Sequence, residues 1–119
     1  METRPKTLII DIDGVILQHN GSLTNQMWRS PLVLPGVIDR LNEWDRKGYK
    51  IVLLSGRRES LRSLTEKQLL KAGIFYDTLV MGVGGGVRVL INDLKGNGKE
   101  STAVAINLVR NAGMEEVNV

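Results

Sequence analysis

The stretch Thr7-Leu8-Ile9-Ile10-Asp11-Ile12-Asp13-Gly14-Val15-Ile16 constrains the fold more than any other part of the chain. β-Forming residues run directly into two aspartates separated by one apolar residue, and a glycine then releases the chain from strand geometry. Residues i and i+2 of an extended backbone share a face, so a buried strand ending here directs both carboxylates out of its carboxyl end together. Adjacent acids repel unless a cation or a proton joins them. The pair is therefore a candidate hard-cation site, where carboxylate and carbonyl oxygens hold Mg²⁺ and leave positions for a phosphate. The alternative is a β-turn in which Asp13-Gly14 merely reverses the chain.

A chain of 119 residues with 42% hydrophobic content suits one compact domain, residues 1–119, and leaves no room for a second core. It has no apolar run of membrane-spanning length, so no membrane partner is expected. Residues 1–6 are short and polar and lead straight into a strand, unlike a secretory leader. The absence of cysteine removes disulfides, zinc-thiolate sites and thiol nucleophiles, and fits a cytoplasmic location. A net charge of +3, with basic residues scattered and only two Trp, two Tyr and one Phe, favours a phosphorylated ligand slightly. Nucleic acid is not the expected partner, because duplex binders concentrate basic residues and single-strand binders need aromatic platforms.

After the first strand, residues 17–34 form an irregular polar passage. Its Asn20-Gly21 signals a two-residue turn, and a β-hairpin flap over the end of the first strand is expected there, with His19 exposed on it and Trp28 covering the core. Pro35-Gly36 opens a helix carrying Val37, Ile38, Leu41 and Trp44 at helical spacing, and Gly48 ends it. Ile51-Val52-Leu53-Leu54 is a continuous apolar run of the kind buried on both faces of a parallel sheet.

That run ends at Ser55-Gly56-Arg57, followed by a helix expected over 58–72 with Leu61, Leu64 and Leu69 inward. A helix entered from a strand's carboxyl end offers unpaired N–H groups to an anion. Ser55 adds a hydroxyl, Gly56 lets the backbone approach closely, and Arg57 adds a forked cation suited to phosphate. The plainer reading is a Ser55 helix cap worth about 1 kcal/mol. A third strand over 78–81 precedes the glycine-rich 82–86, which lacks the Lys-Ser/Thr of a P-loop and reads as a connection. A fourth strand is expected over 87–91, ending at Asn92-Asp93. Asp93 reaches the Asp11 edge only if this strand runs parallel; its alternative role is a cap beside the Lys95-Gly96-Asn97-Gly98 loop. Residues 101–112, apolar almost all round, read as a buried helix, and 115–119 as an edge strand.

Strand-helix alternation with acids or phosphate binders at successive strand ends is the pattern of an open α/β sheet with its site at the carboxyl edge. Asp11-Ile12-Asp13-Gly14-Val15 resembles the first motif of the haloacid dehalogenase (HAD) superfamily, Ser55-Gly56-Arg57 its second, and Asn92-Asp93 its fourth. The Gly-Arg extension is similar to that of several sugar-phosphate phosphatases and of the phosphatase half of polynucleotide kinase-phosphatases. The resemblance implies a three-layer, Rossmann-like, mostly parallel open sheet without a cap domain. It also implies a Mg²⁺-dependent phosphomonoesterase acting through an aspartyl phosphate, with Asp11 as nucleophile and Asp13 as acid and base. Mg²⁺ would lie on Asp11, the Asp13 carbonyl and Asp93, while Ser55, Gly56 and Arg57 would hold the substrate phosphate.

Two departures stand out. Asn92 replaces a usual acid, and the lysine of the third motif has no clear match. Arg88 would sit at the wrong edge, about 13 Å from the site; Lys95 is the preferred substitute and Lys67 the other. The expected substrate is a small phosphorylated metabolite such as a sugar phosphate. The alternatives are a polynucleotide 3′-phosphatase-like activity or a catalytically weak phosphate-binding domain. A domain without a cap further implies a large substrate or a homo-oligomer.

Overall fold

Three strands, β1 (Thr7–Asp11), β2 (Lys50–Leu54) and β3 (Thr78–Val80), lie parallel in the order β1-β2-β3. The computed structural model describes residues 4–19 and 30–119. Asp11 pairs with Leu54 and Leu54 with Val80, so the last residues of all three strands share one edge. The crossovers are α1 (Val37–Arg46) and α2 (Arg62–Lys71), the latter preceded by a single 3₁₀ turn, Glu59–Leu61. This is an open, Rossmann-like α/β sheet, as the strand-helix alternation led us to expect.

Period-2 alternation decides which strand residues enter the core. Ile10, Ile51, Leu53 and Leu79 are buried and cluster with Val37, Leu41 and Trp44 of α1 and Leu69 of α2. Their strand neighbours Ile9 and Val80 remain exposed. In α1 the buried residues fall at i, i+4 and i+7, one face of a helix, while Ile38 turns outward. α2 buries Thr65 and Leu69, leaving Leu61 and Leu64 only half-buried.

The end of the chain returns to the start of α1. Met114 N–H donates to Pro35 O at 2.8 Å, and Met114 and Val117 enter the core. Gly36 and Gly113 make this docking possible: a Cβ on Gly36 would collide with the Glu115 backbone, and one on Gly113 with Pro35 O. Both have positive φ, +78° and +91°, where L side chains are disfavoured.

Between β3 and this return the chain departs from expectation. Residues 87–91 form no strand and 101–112 no helix; both stretches are extended and largely exposed, and 115–119 adds no edge strand. The error in the helix has a readable cause. Val104, Ile106 and Leu108 alternate with Ala103, Ala105 and Asn107, so the same residues satisfy period 2, and short apolar runs do not discriminate helix from strand. The β-branched Thr102, Val104, Ile106 and Val109 tilt the balance toward extended backbone. The glycine segment 82–86 therefore leads not to a parallel fourth strand but into an arm that turns back at Lys95 and Glu100, which form an antiparallel bridge. The flap expected over 17–34 has a paired base, with Leu17 bridging Val33 antiparallel and Gln18 N–H bonded to Leu32 O. Asn20-Gly21 and Trp28 lie outside the described residues.

Candidate functional site

The carboxyl edge of the sheet carries two loops. The first leaves β1 at Asp11 and winds tightly, because the N–H groups of Val15, Ile16 and Leu17 all converge on Ile12 O. Ile12 and Ile16 anchor it in the core at 0% exposure, leaving Asp11 exposed and Asp13 half-buried at the rim. Gly14 has φ +94°, and a Cβ there would press on Arg110 Cγ at 3.1 Å. The turn thus needs a glycine both for its backbone and for the approach of the C-terminal segment. Asn111 fastens that segment: its N–H donates to Gly14 O at 2.8 Å, and its Oδ1 accepts His19 N–H at 2.7 Å.

The second loop, Ser55-Gly56-Arg57, begins one residue after β2. Ser55 N–H donates to Val80 O, and its Oγ accepts Arg57 N–H at 3.0 Å. Ser55 is buried at 1% exposure, and its hydroxyl shapes the loop rather than capping a helix, because α2, expected from residue 58, begins only at Arg62. Gly56 is exposed on one side and approached on the other by Val83 O, 3.1 Å from where a Cβ would stand.

Arg57 joins the two loops. Its Nε and Nη2 donate to Asp13 Oδ2 and Oδ1 at 2.9 and 2.8 Å, a fork-to-fork pair. Its Nη1 donates to Thr65 Oγ1 at 3.0 Å and to Gln68 Oε1 at 2.6 Å. The Arg57 side chain is 1% exposed and that of Asp13 15%. A guanidinium committed in this way does not face a substrate phosphate, so Arg57 holds the acid pair's second member rather than the ligand. Thr65 and Gln68 were missed as members of this network. The signal was present: Thr65 is a polar residue in the middle of the Leu61, Thr65, Leu69 stripe at i, i+4 and i+8.

Electrostatics around Asp11 point the same way. Loops crowding its carboxyl strip part of its water and raise its pKa above the ordinary carboxylate value. The Arg88 charge opposes this most, followed by the Ile12 N–H, which donates to Asp11 Oδ1 at 3.2 Å; the Asp13 charge adds to the rise, and His19 opposes it. Arg88, expected at the far end of a fourth strand, instead acts on Asp11 because no such strand forms. His19, expected to stand exposed, is half-buried and acts on Asp11 too. Lys95 lies at the turn of the arm, its N–H bonded to Glu100 O at 2.9 Å.

Asp93 is exposed on the arm, its carbonyl accepting from Thr102 Oγ1 at 2.8 Å. Among the described residues no three His, Cys, Asp or Glu side chains group as a metal site, so Asp93 does not join Asp11 and Asp13. The donors that remain, the Asp11 carboxylate and the Asp13 carbonyl, suit Mg²⁺, which commonly keeps several waters and takes one or two carboxylates plus substrate phosphate oxygens.

Comparison with solved structures bears on the whole arrangement. The chain is 35% identical to a chain of the Pnkp1/Rnl/Hen1 complex, over 73% of this chain and 31% of that one, with a TM-score of 0.59. It is 36% identical to a chain of the Pnkp1/Rnl/Hen1 RNA repair complex, over 71% and 28%, with a TM-score of 0.58. The chain belongs to the haloacid dehalogenase superfamily. A D,D-heptose 1.7-bisphosphate phosphatase from B. bronchiseptica, complexed with magnesium and phosphate, shares the fold at 17% identity, over 74% and 56%, with a TM-score of 0.50. No family model matches the chain, and no curated protein does. The chain spans about a third or less of the two complex chains. In this HAD domain the loops carrying Asp11, Asp13 and Ser55-Gly56-Arg57 meet at one edge, whereas the Asn92-Asp93 segment stands apart on the arm.

Proposed function

We propose that the domain is a Mg²⁺-dependent phosphomonoesterase that works through an aspartyl phosphate on Asp11. The observation that carries this reading is the Asp11–Asp13 pair at the carboxyl end of β1, its second member clamped by Arg57 from the end of β2. The Asp11 carboxylate attacks phosphorus and the ester P–O bond breaks. Asp13, carrying a proton on an oxygen lone pair outside the Arg57 fork, gives that proton to the leaving oxygen, then as the carboxylate takes one from the water that hydrolyses the aspartyl phosphate, returning Asp11 and releasing phosphate. Arg57 fixes the direction in which Asp13 presents its oxygens, since rotation about χ2 would break both bonds of the fork. Arg88 supplies the cation that the third-motif lysine provides elsewhere, and Gly56 with Ser55 lines the phosphate oxygens. Mg²⁺ on the Asp11 carboxylate and the Asp13 carbonyl would neutralise charge between nucleophile and phosphate. The heptose bisphosphate phosphatase complexed with magnesium and phosphate supports that choice of ion.

The substrate of this reading is a small phosphorylated metabolite such as a sugar phosphate. A second reading, removal of a polynucleotide 3′-phosphate, is favoured by the identity to chains of the RNA repair complex. Purified protein assayed with an aryl phosphate, a sugar-phosphate panel and a 3′-phosphorylated oligonucleotide, with Mg²⁺ or with chelator, tests both. Metal-dependent phosphate release that falls at least about 10³-fold in Asp11→Asn supports the mechanism. Turnover indifferent to that substitution sinks it, and release from the oligonucleotide alone selects the second reading. Tight phosphate-ligand binding without turnover would instead mark a binding domain.

A further inference from the structure

Apart from Arg88 at its root, the arm between Val83 and Asn111 is the largest feature that the proposed activity leaves unused. Its tip is ordered locally: Lys95 N–H donates to Glu100 O, Gly96 and Gly98 take φ of 66° and 75°, and Asn92 Nδ2 donates to Thr102 Oγ1 at 3.2 Å. Below the tip, residues 84–94 and 101–108 make no backbone–backbone hydrogen bond to any described residue. If the antiparallel register of the Lys95–Glu100 bridge is continued down the limbs, Ile91 stands opposite Val104 and Val89 opposite Ile106, an aliphatic face that runs from Val87 to the tip and ends on the other limb where Leu108 packs against the core.

That face is bare. Val87 is 93% exposed, Ile91 88%, Val104 82% and Val89 77%. With Ile106, 50% exposed, the face presents on the order of 600 Å² of mostly apolar surface, while Leu90, Leu94 and Val109, also more than half exposed, alternate onto the other side. A monomer rarely tolerates more than a few hundred Å², and one side of a standard interface buries about 800 Å². The arm also stretches the molecule to 51 × 29 × 25 Å and a radius of gyration of 15.1 Å, where about 13.5 Å is usual for this length.

We infer that the arm is covered by the arm of a second copy of this chain, forming a two-fold dimer. Extended limbs whose N–H and C=O groups lack backbone partners among the described residues are self-complementary: two identical ones pair about a two-fold axis, each residue meeting the other's partner. Charge agrees with a second copy. Asp93 and Glu100 balance Lys95 and Lys99 at the tip, so two tips meet without net repulsion, whereas an anionic polymer calls for a basic face. The dimer stands independently of the phosphatase reading. It does place the interface beside the site, because the arm leaves the body where Gly82 N–H bonds to Arg57 O.

Sedimentation velocity on the full chain from low to high micromolar concentration, with hydrogen exchange on the same samples, tests the dimer. The expected result is a concentration-dependent dimer whose 84–94 and 101–108 amides are protected. Val89→Lys/Ile91→Lys, or Ile106→Glu on the other limb, should weaken association at least tenfold while leaving the circular dichroism unchanged. A wild-type monomer throughout overturns the inference: fast exchange in the arm would mean it is uncovered, slow exchange that it folds onto its own sheet. A dimer untouched by all three substitutions overturns it as well, by placing the contact elsewhere.

Discussion

Leu53 in β2 is fully buried and Ile91 in the arm is 88% exposed, although both sit in runs of β-forming aliphatic residues. What separates them is the partner within reach. Each body strand has a neighbour that satisfies its backbone and a helix that covers its inner face, supplied by α1 and α2. Among the described residues the arm has neither, beyond the Lys95–Glu100 bridge at its tip. Apolar sequence therefore states a demand for burial, and topology determines whether the same chain can meet it.

Substitutions can separate the two regions. The largest contrast is expected between Leu53→Ala and Val89→Ala at concentrations where the chain is monomeric. The first should cost about 2–5 kcal/mol through lost packing and a cavity, and the second less than about 0.5 kcal/mol. Urea midpoints read both, and equal losses would erase the distinction between body and arm. Next comes the clamp. Arg57→Ala leaves the Asp13 carboxylate without its partner at the rim and should cost about 3 kcal/mol, because a broken buried pair loses its compensation. Thr65→Ala, which removes one acceptor, should cost about 1 kcal/mol.

Arg88 stands at the root of the arm but acts on the body. Arg88→Ala should lower phosphatase kcat by roughly 10²-fold, the usual effect of deleting one charge-stabilising group, with an unchanged urea midpoint and partial rescue by lysine. A midpoint that drops with activity would assign Arg88 a merely structural place. The smallest effect concerns pH. Since burial raises the Asp11 pKa, the folded state holds that proton more firmly than the unfolded one, and its contribution to stability is lost as pH rises through the folded value. Asp11→Asn should therefore raise Tm slightly at neutral pH, the gain vanishing below the ordinary carboxylate range. A Tm gain that persists in acid would mean that the carboxyl's burial is not its source.

Much of the body was legible in advance. Both crossover helices, the three parallel strands and the meeting of the Asp11 and Ser55 loops follow from periodicity and turn residues, which are local properties. Arg57 was legible as a member of the site but not in its role. A guanidinium looks equally suited to phosphate and to carboxylate, and only the proximity of Asp13, 44 residues away in sequence, settles which one it meets. The arm was the least legible part, for Val104-Ala105-Ile106 satisfies helix and strand patterns alike.

By itself, the order of residues determined where the three strands of the body lie, which face of α1 turns inward, and that two carboxylates leave β1 together. Each depends on interactions within a few residues, so each is written locally. Tertiary structure alone decided that Asp13 meets Arg57, that Arg88 rather than Lys95 acts on Asp11, and that Asp93 stands away from both. Those outcomes depend on the path of the chain beyond β3, where an extended arm replaced a strand and a helix, and no local pattern specifies which distant surface a segment will meet.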